Sequence, residues 1–243
     1  MVLKYLDYNN INLYDELNKL NNNIDYVELV IENNKICLFI LGILFAKGIK
    51  IKILNKDKLN LENTYKSFPL MGYVWDRLSD DNFPNKDYSN VITEIDNKVE
   101  NIKRLGIKVT KIDNKEIDNK IFLICPVRDA DNSQKQWIEN YVKEKELDGY
   151  IVHAPHMHTR QIDLFGGYAI CRQNAENLST SSEVNIYYDK TSFGSVFDLG
   201  VAYQLHKSLV LLNNVDLDNN DIIDNIIINW LYNKIKKKIK EPK

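Results

Sequence analysis

The second half of the chain alternates short apolar runs with amphipathic segments. Such runs are typical of strands buried on both faces, and the segments between them carry apolar residues at helical spacing. The predicted strands are 121–125, 150–153, 184–188 and 209–212, and the predicted helices are 133–142, 167–178, 196–205 and 218–240. Strands separated by helices predict a parallel sheet that is covered by helices on both faces.

The first half has a less regular pattern. A leucine stripe predicts a helix over 11–32, apolar residues alternating with lysine predict a strand over 49–54, and an amphipathic repeat predicts a helix over 89–105. A short strand is predicted over 107–112, and the charged segment 113–120 is predicted to be a turn between the halves.

We therefore divide the chain into an N-terminal α/β region, residues 1–117, and a C-terminal domain, residues 118–243. The C-terminal domain is predicted to be a Rossmann-like parallel sheet flanked by helices, in the three-layer arrangement of flavodoxin-like folds.

The two halves share one short pattern. Residues 38–42 (LFILG) resemble residues 196–200 (VFDLG), and both segments run into an apolar strand at the same distance. Either the N-terminal region is a diverged copy of the C-terminal unit, with Ile40 where the second copy has Asp198, or the two helix–strand units are alike by chance.

Composition excludes some partners without identifying a function. The 243-residue chain has a formal net charge of −2, which gives no reason to expect a nucleic acid or an anionic membrane surface as a partner. The longest apolar run, 36–46, is too short to span a bilayer, which needs about 20 residues. Three cysteines that lie far apart in sequence predict reduced, buried thiols in a cytoplasmic protein. No cofactor is expected.

The candidate chemistry lies in a loop rich in Ser and Gly between a predicted strand and a predicted helix. The loop runs from Ser192 through Gly194 and Ser195 to Asp198. Small residues allow backbone N–H groups to approach an anion at a helix N-terminus, and Asp198 is predicted to lie in the first helical turn, near the carboxyl ends of the strands. The alternative is an ordinary acidic helix start, which is stabilising without any ligand.

The order of these segments resembles the nucleoside 2-deoxyribosyltransferase family and the related deoxynucleoside 5′-monophosphate N-glycosidases. The resemblance covers 121–212: one strand enters the loop 125–128, the next enters the polar loop 152–161, and a helix begins near 170–174. A further strand leads through Asp189 and the Ser/Gly loop to an acid-Leu-Gly helix. The resemblance also implies active sites that a neighbouring subunit completes, so a homo-oligomer is expected.

The resemblance implies catalytic roles for three positions. Asp198 takes the place of the nucleophile that attacks C1′ of the sugar and forms a covalent glycosyl carboxylate, and its side chain is expected to be anionic at pH 7. Asn174 takes the place of a family acid or amide that orients the base or the sugar. The acid that assists the nucleophile corresponds to Ser192, or to Asp189 if the alignment is shifted.

The resemblance also implies two sets of substrate contacts. Val127 and Arg128 line the sugar pocket. Ser192, Gly194 and Ser195 bind the 5′-phosphate, as in the monophosphate relatives, and Arg128 is expected to pair with that phosphate through two hydrogen bonds.

The chain departs from the family pattern in ways that bear on activity. Most members have Glu where this chain has Asp198, whose side chain is one methylene shorter, and Pro126 and Val127 replace small residues of the first loop. A displacement of about 1 Å in a reacting group can lower a rate about a hundredfold. The site is therefore either a slow enzyme or a nucleotide-binding module without catalysis.

Three histidines follow the second predicted strand of the C-terminal half. His153, His156 and His158 can be interpreted as metal ligands, as substrate contacts or as a polar surface loop. We expect no metal here. We favour a substrate contact from the same loop by Gln161, because an amide offers both a donor and an acceptor to the edge of a base.

The sequence thus predicts an enzyme that cleaves or transfers the N-glycosidic bond of a (deoxy)nucleoside or its 5′-monophosphate. One alternative is a non-catalytic nucleotide-binding or sensing module of the same fold. Another is that residues 1–115 carry the function, as a partner-binding region with aromatic residues between Tyr65 and Trp75. The first half is also a candidate to complete the pocket from within the chain, with Ser67 to Met71 near the site.

Overall fold

The structure is a computed structural model that describes residues 3–5, 26–29, 34–53, 111–128, 130–159 and 168–240. The described part of the N-terminal half forms a parallel three-stranded sheet in the order β1-β2-β3. Its elements are β1 (Leu3–Tyr5), β2 (Tyr26–Leu29), α1 (Lys35–Lys47) and β3 (Lys50–Ile53). The predicted helix 89–105, the aromatic segment near Tyr65 and residue Gln161 lie outside the described residues.

The C-terminal half forms a second sheet, in which every described strand is parallel to its neighbours and the order is β5-β4-β6-β7. Its elements are β4 (Ile117–Ile124), α2 (Asn132–Leu147), β5 (Ile151–His153), α3 (Pro155–His158), α4 (Tyr168–Thr180), β6 (Ser181–Ile186), α5 (Phe193–Gln204), β7 (Ser208–Leu211) and α6 (Ile222–Lys240).

Alternate residues of β4 enter two separate cores, because successive side chains of a strand point to opposite faces. Ile121 and Leu123 pack with Ile138 and Val142 of α2 on one face. Phe122 and Ile124 lie in the larger core of the other face, together with buried residues of α1, α4, α5 and α6. The predicted three-layer, Rossmann-like fold with helices on both faces of a parallel sheet is therefore confirmed.

Several predicted boundaries are wrong. Strand β2 lies inside the segment predicted as a helix over 11–32. Strand β4 begins at Ile117, inside the predicted charged turn 113–120, because its exposed polar half still pairs with β6. Helix α5 begins at Phe193, three residues before the predicted start at Val196.

Helix α1 and strand β3 repeat the geometry of α5 and β7. Adding 158 to each residue number relates the two units: Lys35 and Phe193 begin the helices, and Lys50 and Ser208 begin the strands. Both helices end on a residue with left-handed backbone, Gly48 with φ 67° and His206 with φ 56°. In both cases that residue and the next donate hydrogen bonds back to the last turn in the same pattern, at 3.0–3.1 Å.

The two helices contact each other antiparallel and with reciprocal pairs. The ring centroids of Phe39 and Tyr203 lie 5.5 Å apart, and so do those of Phe45 and Phe197, which is the same pair after exchange of the two units. Between these pairs the backbones touch: a Cβ on Gly42 would lie 2.2 Å from the carbonyl oxygen of Phe197, and one on Gly200 would lie 2.1 Å from that of Phe39. The pattern shared by 38–42 and 196–200 therefore has a counterpart in three dimensions, a local two-fold axis between α1 and α5.

Candidate functional site

The candidate site lies at the carboxyl edge of the second sheet. Because β4, β5 and β6 are parallel, the residues that follow them emerge at one edge, which is where open α/β sheets bind ligands. Cys125 follows β4, and His153 is the last residue of β5. The loop after β6 leads to Ser192, which immediately precedes α5.

Asp198 is the sixth residue of α5 and is buried, with 7% of its surface exposed. The prediction that it lies in the first turn is wrong, because residues 193–195 are already helical. Its Oδ2 accepts a hydrogen bond of 3.0 Å from Nδ2 of Asn174 on α4. Its Oδ1 accepts no hydrogen bond from any described residue. This oxygen is also absent from the fully buried side-chain atoms of the described residues that lack a hydrogen-bond partner. One carboxylate oxygen is thus held, and the other remains available to a ligand.

The environment of Asp198 favours its protonated form. Burial raises the pKa of the carboxyl group to about 7, and the hydrogen bond from Asn174 offsets part of that effect. The expectation of a fully anionic carboxylate at pH 7 is therefore wrong: near pH 7 the protonated and ionised forms are both populated. Burial, and to a smaller extent the charge of Asp198, also raise the pKa of the Cys125 thiol to about 12, so this cysteine stays protonated.

Asn174 belongs to a chain of buried hydrogen bonds. Its Oδ1 accepts a 2.7 Å bond from the hydroxyl of Thr159. The Thr159 oxygen lies 2.9 Å from Nε2 of His153. All four side chains, from His153 through Thr159 and Asn174 to Asp198, are at least 90% buried. They connect the end of β5, the loop after α3, α4 and α5.

The three histidines have different environments and do not converge. Burial is the main cause that lowers the pKa of His153 to about 4, with smaller effects from His158 and Lys120, so its ring is neutral at pH 7. Its ring stacks on Phe122 with centroids 5.4 Å apart. His158 lies at 5.7 Å from His153, between centroids, and its Nδ1 accepts a hydrogen bond from the backbone N–H of Ala154.

At the N-terminus of α5, Gly194 is exposed, whereas Ser192 and Ser195 are buried. The hydroxyls of Ser192 and Ser195 are hydrogen-bonded to each other at 2.8 Å and are buried. Gly194 is exposed, and a Cβ built there would have no atom within 4 Å. No side chain caps the helix N-terminus at Ser192. The helix start thus combines two buried hydroxyls, an exposed glycine and no side-chain cap, which are features that suit an anion at a helix N-terminus.

Asp189, the assisting acid of a shifted alignment, is hydrogen-bonded to its own loop and to α2. Its Oδ1 accepts hydrogen bonds from the backbone N–H and the hydroxyl of Thr191, at 2.7 and 2.6 Å. Its Oδ2 accepts a bond of 3.0 Å from Gln134 of α2. Burial alone would raise the pKa of Asp189, but these hydrogen bonds lower it below its ordinary value. Asp189 thus shapes the loop that leads to Ser192, and within the described residues it does not contact Asp198.

The remaining predicted contacts lie at the same edge of the sheet. Val127 is half-buried and Arg128 is exposed, and both follow the end of β4. Sequence reasoning missed Thr159, because its partners are 6 and 15 residues away and no periodic pattern connects them. A polar residue just after a His-rich turn is the signal that could have drawn attention to it.

Comparison of the chain with family models, with curated protein sequences and with solved structures finds no match. The described residues contain no group of three or more His, Cys, Asp or Glu side chains that could hold a metal ion. Among the described helices, none has the length and apolar character needed to cross a membrane. The geometry of the site is therefore the basis for a functional proposal.

Proposed function

We propose that the protein cleaves or transfers the N-glycosidic bond of a (deoxy)nucleoside 5′-monophosphate or nucleoside, with Asp198 as the nucleophile. The observation that carries this proposal is the state of the Asp198 carboxylate. It is buried at the carboxyl edge of a parallel sheet, one oxygen is held by Asn174, and the other accepts no hydrogen bond from the described residues. A buried carboxylate with one free oxygen is a suitable partner for a carbon that becomes cationic.

The proposed reaction has two displacement steps. In the first, an oxygen of ionised Asp198 bonds to C1′ while the C1′–N bond breaks, and the electron pair leaves with the base, which takes a proton from water. In the second, water or another base attacks C1′ and the carboxylate leaves. Attack by water transfers a proton to solvent and releases the sugar, and two inversions retain the configuration at C1′.

The N-terminus of α5 favours a phosphorylated substrate over a free nucleoside. Gly194 is exposed and no side chain caps the start of α5, and the positive end of the helix dipole stabilises an anion there. The paired hydroxyls of Ser192 and Ser195 lie beside it, and exposed Arg128 emerges from the same edge of the sheet. We propose that these groups hold the 5′-phosphate and leave C1′ near Asp198.

The direct test is release of free base. The full-length protein is incubated with dCMP, dGMP, dUMP, dTMP and the corresponding nucleosides, and free base is measured by chromatography. We expect release from at least one monophosphate, and a loss of about a thousandfold or more in Asp198→Asn, because the amide cannot act as the nucleophile. Unchanged release in that variant would reject Asp198 as the nucleophile.

The pH dependence of kcat/KM provides a second test. Asp198 must lose its proton to react, and its pKa is raised to about 7, so the rate should increase with pH up to about 7 and then level off. Asn174→Ala removes a hydrogen bond that favours the ionised form, so it should move this profile to higher pH. Asn177→Ala is the matched control: Asn177 is also on α4, but it contacts Lys120 and the backbone of Gln173 instead. Its profile should resemble that of the unmodified protein.

A non-catalytic nucleotide sensor is the second candidate, and the raised pKa of Asp198 is the observation that favours it. A carboxyl group that is partly protonated at pH 7 can donate a hydrogen bond to a bound base or sugar without reacting. Tight binding of a monophosphate, measured by calorimetry, without base release at any pH between 6 and 9 would favour the sensor.

A further inference from the structure

The hydrogen bonds around Asp198 have a direction that chemistry determines. An ionised carboxylate has no hydrogen, so the bond between Asp198 and Asn174 must be donated by the amide nitrogen. The amide oxygen of Asn174 then faces Thr159 and can only accept, so it takes the single hydroxyl hydrogen of Thr159.

The same reasoning determines which ring nitrogen of His153 carries the hydrogen. Since the hydroxyl hydrogen of Thr159 is used toward Asn174, the Thr159 oxygen must accept the bond that connects it with His153. The hydrogen therefore resides on Nε2 of His153. The neutral imidazole has one N–H hydrogen, which leaves Nδ1 without one. The ring also stacks on Phe122, with centroids 5.4 Å apart.

We propose that Thr159 and His153 are positioning residues, which hold the amide of Asn174 in the one orientation that donates to Asp198 and so leave Oδ1 of Asp198 free for the substrate. This proposal rests on the proposed function, because it assigns these residues to the same site. Neither residue is required to touch the substrate.

The opposite orientation of the amide shows why positioning is needed. If the Asn174 side chain turned over, its oxygen would face the carboxylate and its nitrogen would face Thr159. The carboxylate would lose its donor and meet a second acceptor. An unmade hydrogen bond to a buried group costs about 1–3 kcal/mol. In the observed orientation the Thr159 hydroxyl accepts from His153 and donates to Asn174, whereas a turned amide would take that acceptor away from the hydroxyl hydrogen, and this favours the observed state.

Few other groups in the described residues can disturb Asp198. Among the described elements, α1, α4, β4 and α6 contact α5. Burial and the Asn174 hydrogen bond are the causes that act on the carboxyl pKa, and no charged group of these elements contributes. The Cys125 thiol next to β4 responds to Asp198, but it stays protonated below pH 10 because its pKa is about 12. A changed titration of Asp198 in a Thr159 variant would therefore report on the hydrogen-bond chain.

The experiment is a titration by NMR of the full-length protein without ligand. ¹³C-labelled aspartate gives the midpoint for Asp198, assigned by its loss in Asp198→Asn, and ¹⁵N-labelled histidine gives the tautomer of His153. In the unmodified protein we expect the Nε2–H tautomer near pH 9, where Asp198 is ionised. In Thr159→Val we expect the Asp198 midpoint to rise by about one pH unit, because Asn174 no longer keeps its donor on the carboxylate. Thr159→Ser keeps a hydroxyl, so it should show the Asp198 midpoint and the His153 tautomer of the unmodified protein.

Each outcome decides the proposal. An Nδ1–H tautomer of His153 in the unmodified protein would overturn it, and this measurement does not depend on any variant folding. An unchanged Asp198 midpoint in folded Thr159→Val would overturn it as well. Thr159→Ala gives a second, smaller side chain with the same expected shift if the valine variant fails to fold.

Kinetics separates this proposal from the proposed function. If base release occurs, Thr159→Val should lower kcat about fivefold at pH 7 and recover near pH 9, because a midpoint raised by one unit reduces the ionised fraction by about that factor. A shifted midpoint without base release in the unmodified protein would retain the positioning role and reject the enzyme. Base release by the unmodified protein together with an unshifted Asp198 midpoint in Thr159→Val would retain the enzyme and reject the positioning role.

Discussion

The burial of Asp198 links the site to the stability of the protein. The pKa of its carboxyl group is raised from 3.8 to about 7 on folding. The folded state therefore binds more protons than the unfolded chain between these values, and the free energy of unfolding must fall as pH rises through this window. A group that is placed for stability alone would show the opposite dependence, as paired carboxylates usually do.

Replacement of Asp198 by Asn should make the protein more stable at high pH. The amide oxygen can still accept the bond from Asn174, but no charge is buried. One pKa unit corresponds to about 1.4 kcal/mol, so the advantage of Asp198→Asn over the unmodified protein should grow by roughly 2–3 kcal/mol between pH 5 and pH 8. Urea unfolding at both pH values measures this.

Asp189→Asn is the control of opposite sign. The pKa of Asp189 is lowered on folding, since hydrogen bonds from Thr191 and Gln134 outweigh the effect of burial. Its contribution to stability is present above pH 4 and is lost as pH falls, so this variant should be less stable than the unmodified protein at pH 8. If Asp198→Asn also lost stability at pH 8, the raised pKa of Asp198 would be contradicted.

At the scale of residues, the sequence predicted which side chains lie at the site better than it predicted the contacts between them. Asp198 and Asn174 were selected through the family resemblance, and the structure brings them into contact. The link through Thr159 to His153 depends on how the loop after α3 folds back onto α4. Spacing along the chain does not contain that information, because loop geometry is set by tertiary packing. The raised pKa of Asp198 was also not predictable, since it depends on how deeply the fold buries the carboxyl group.

The ends of the two related helices provide a prediction at the scale of elements. A left-handed residue after a helix costs about 1–2 kcal/mol when it carries a side chain, and glycine avoids this cost. Helix α1 has Gly48 at this position, whereas α5 has exposed His206. His206→Gly should therefore stabilise the protein by about 0.5–1 kcal/mol, after the larger unfolded-state entropy of glycine is subtracted. The midpoint of urea unfolding tests this. The reverse exchange, Gly48→Ala, should destabilise by a similar amount, and equal midpoints for all three proteins would contradict the argument.

The contact between α1 and α5 predicts a much larger effect. A methyl group on Gly42 or on Gly200 would lie about 2 Å from a backbone oxygen of the other helix. Neither backbone can move away from this clash unless the two helices separate. We expect Gly42→Ala and Gly200→Ala to destabilise by about 3 kcal/mol or more. Gly194→Ala is the matched control on α5, where a Cβ meets no atom within 4 Å and alanine favours the helix. Thermal unfolding of the three variants should separate them, and similar Tm values would exclude a close contact.

The predicted elements were correct where the apolar run and its period indicated the same element. They were wrong where tertiary contacts determine the secondary structure. Strands β5 and β7 were predicted within a residue of their observed bounds, because their apolar runs end sharply. Strand β4 begins in the polar segment at Ile117, where pairing with β6 and not apolar burial defines the strand. Strand β2 follows a leucine stripe, so a helical pattern concealed it.

For the molecule as a whole, the local two-fold axis relates the unit formed by α1 and β3 to the unit formed by α5 and β7. Each pair of contacts between α1 and α5 has an image under exchange of the units, as in the interface of a symmetric dimer. Ile40, which is fully buried, stands at the position equivalent to Asp198, so only the C-terminal unit carries the acid. One monophosphate should therefore bind per chain.

Because the α1–α5 contact is nearly self-complementary, a fragment that lacks the first half should pair with itself. Residues 111–243 alone would expose the face of α5 around Phe197, Gly200 and Tyr203 to water. Two such faces can meet antiparallel with Gly200 against Gly200, which buries both. We expect sedimentation equilibrium to show a dimer for this fragment. Gly200→Val should dissociate it, because the added side chain occupies the space of the partner backbone. A folded fragment that stays monomeric, with the circular dichroism of an α/β domain, would show that α5 does not need a partner and that the two-fold relation has no energetic meaning.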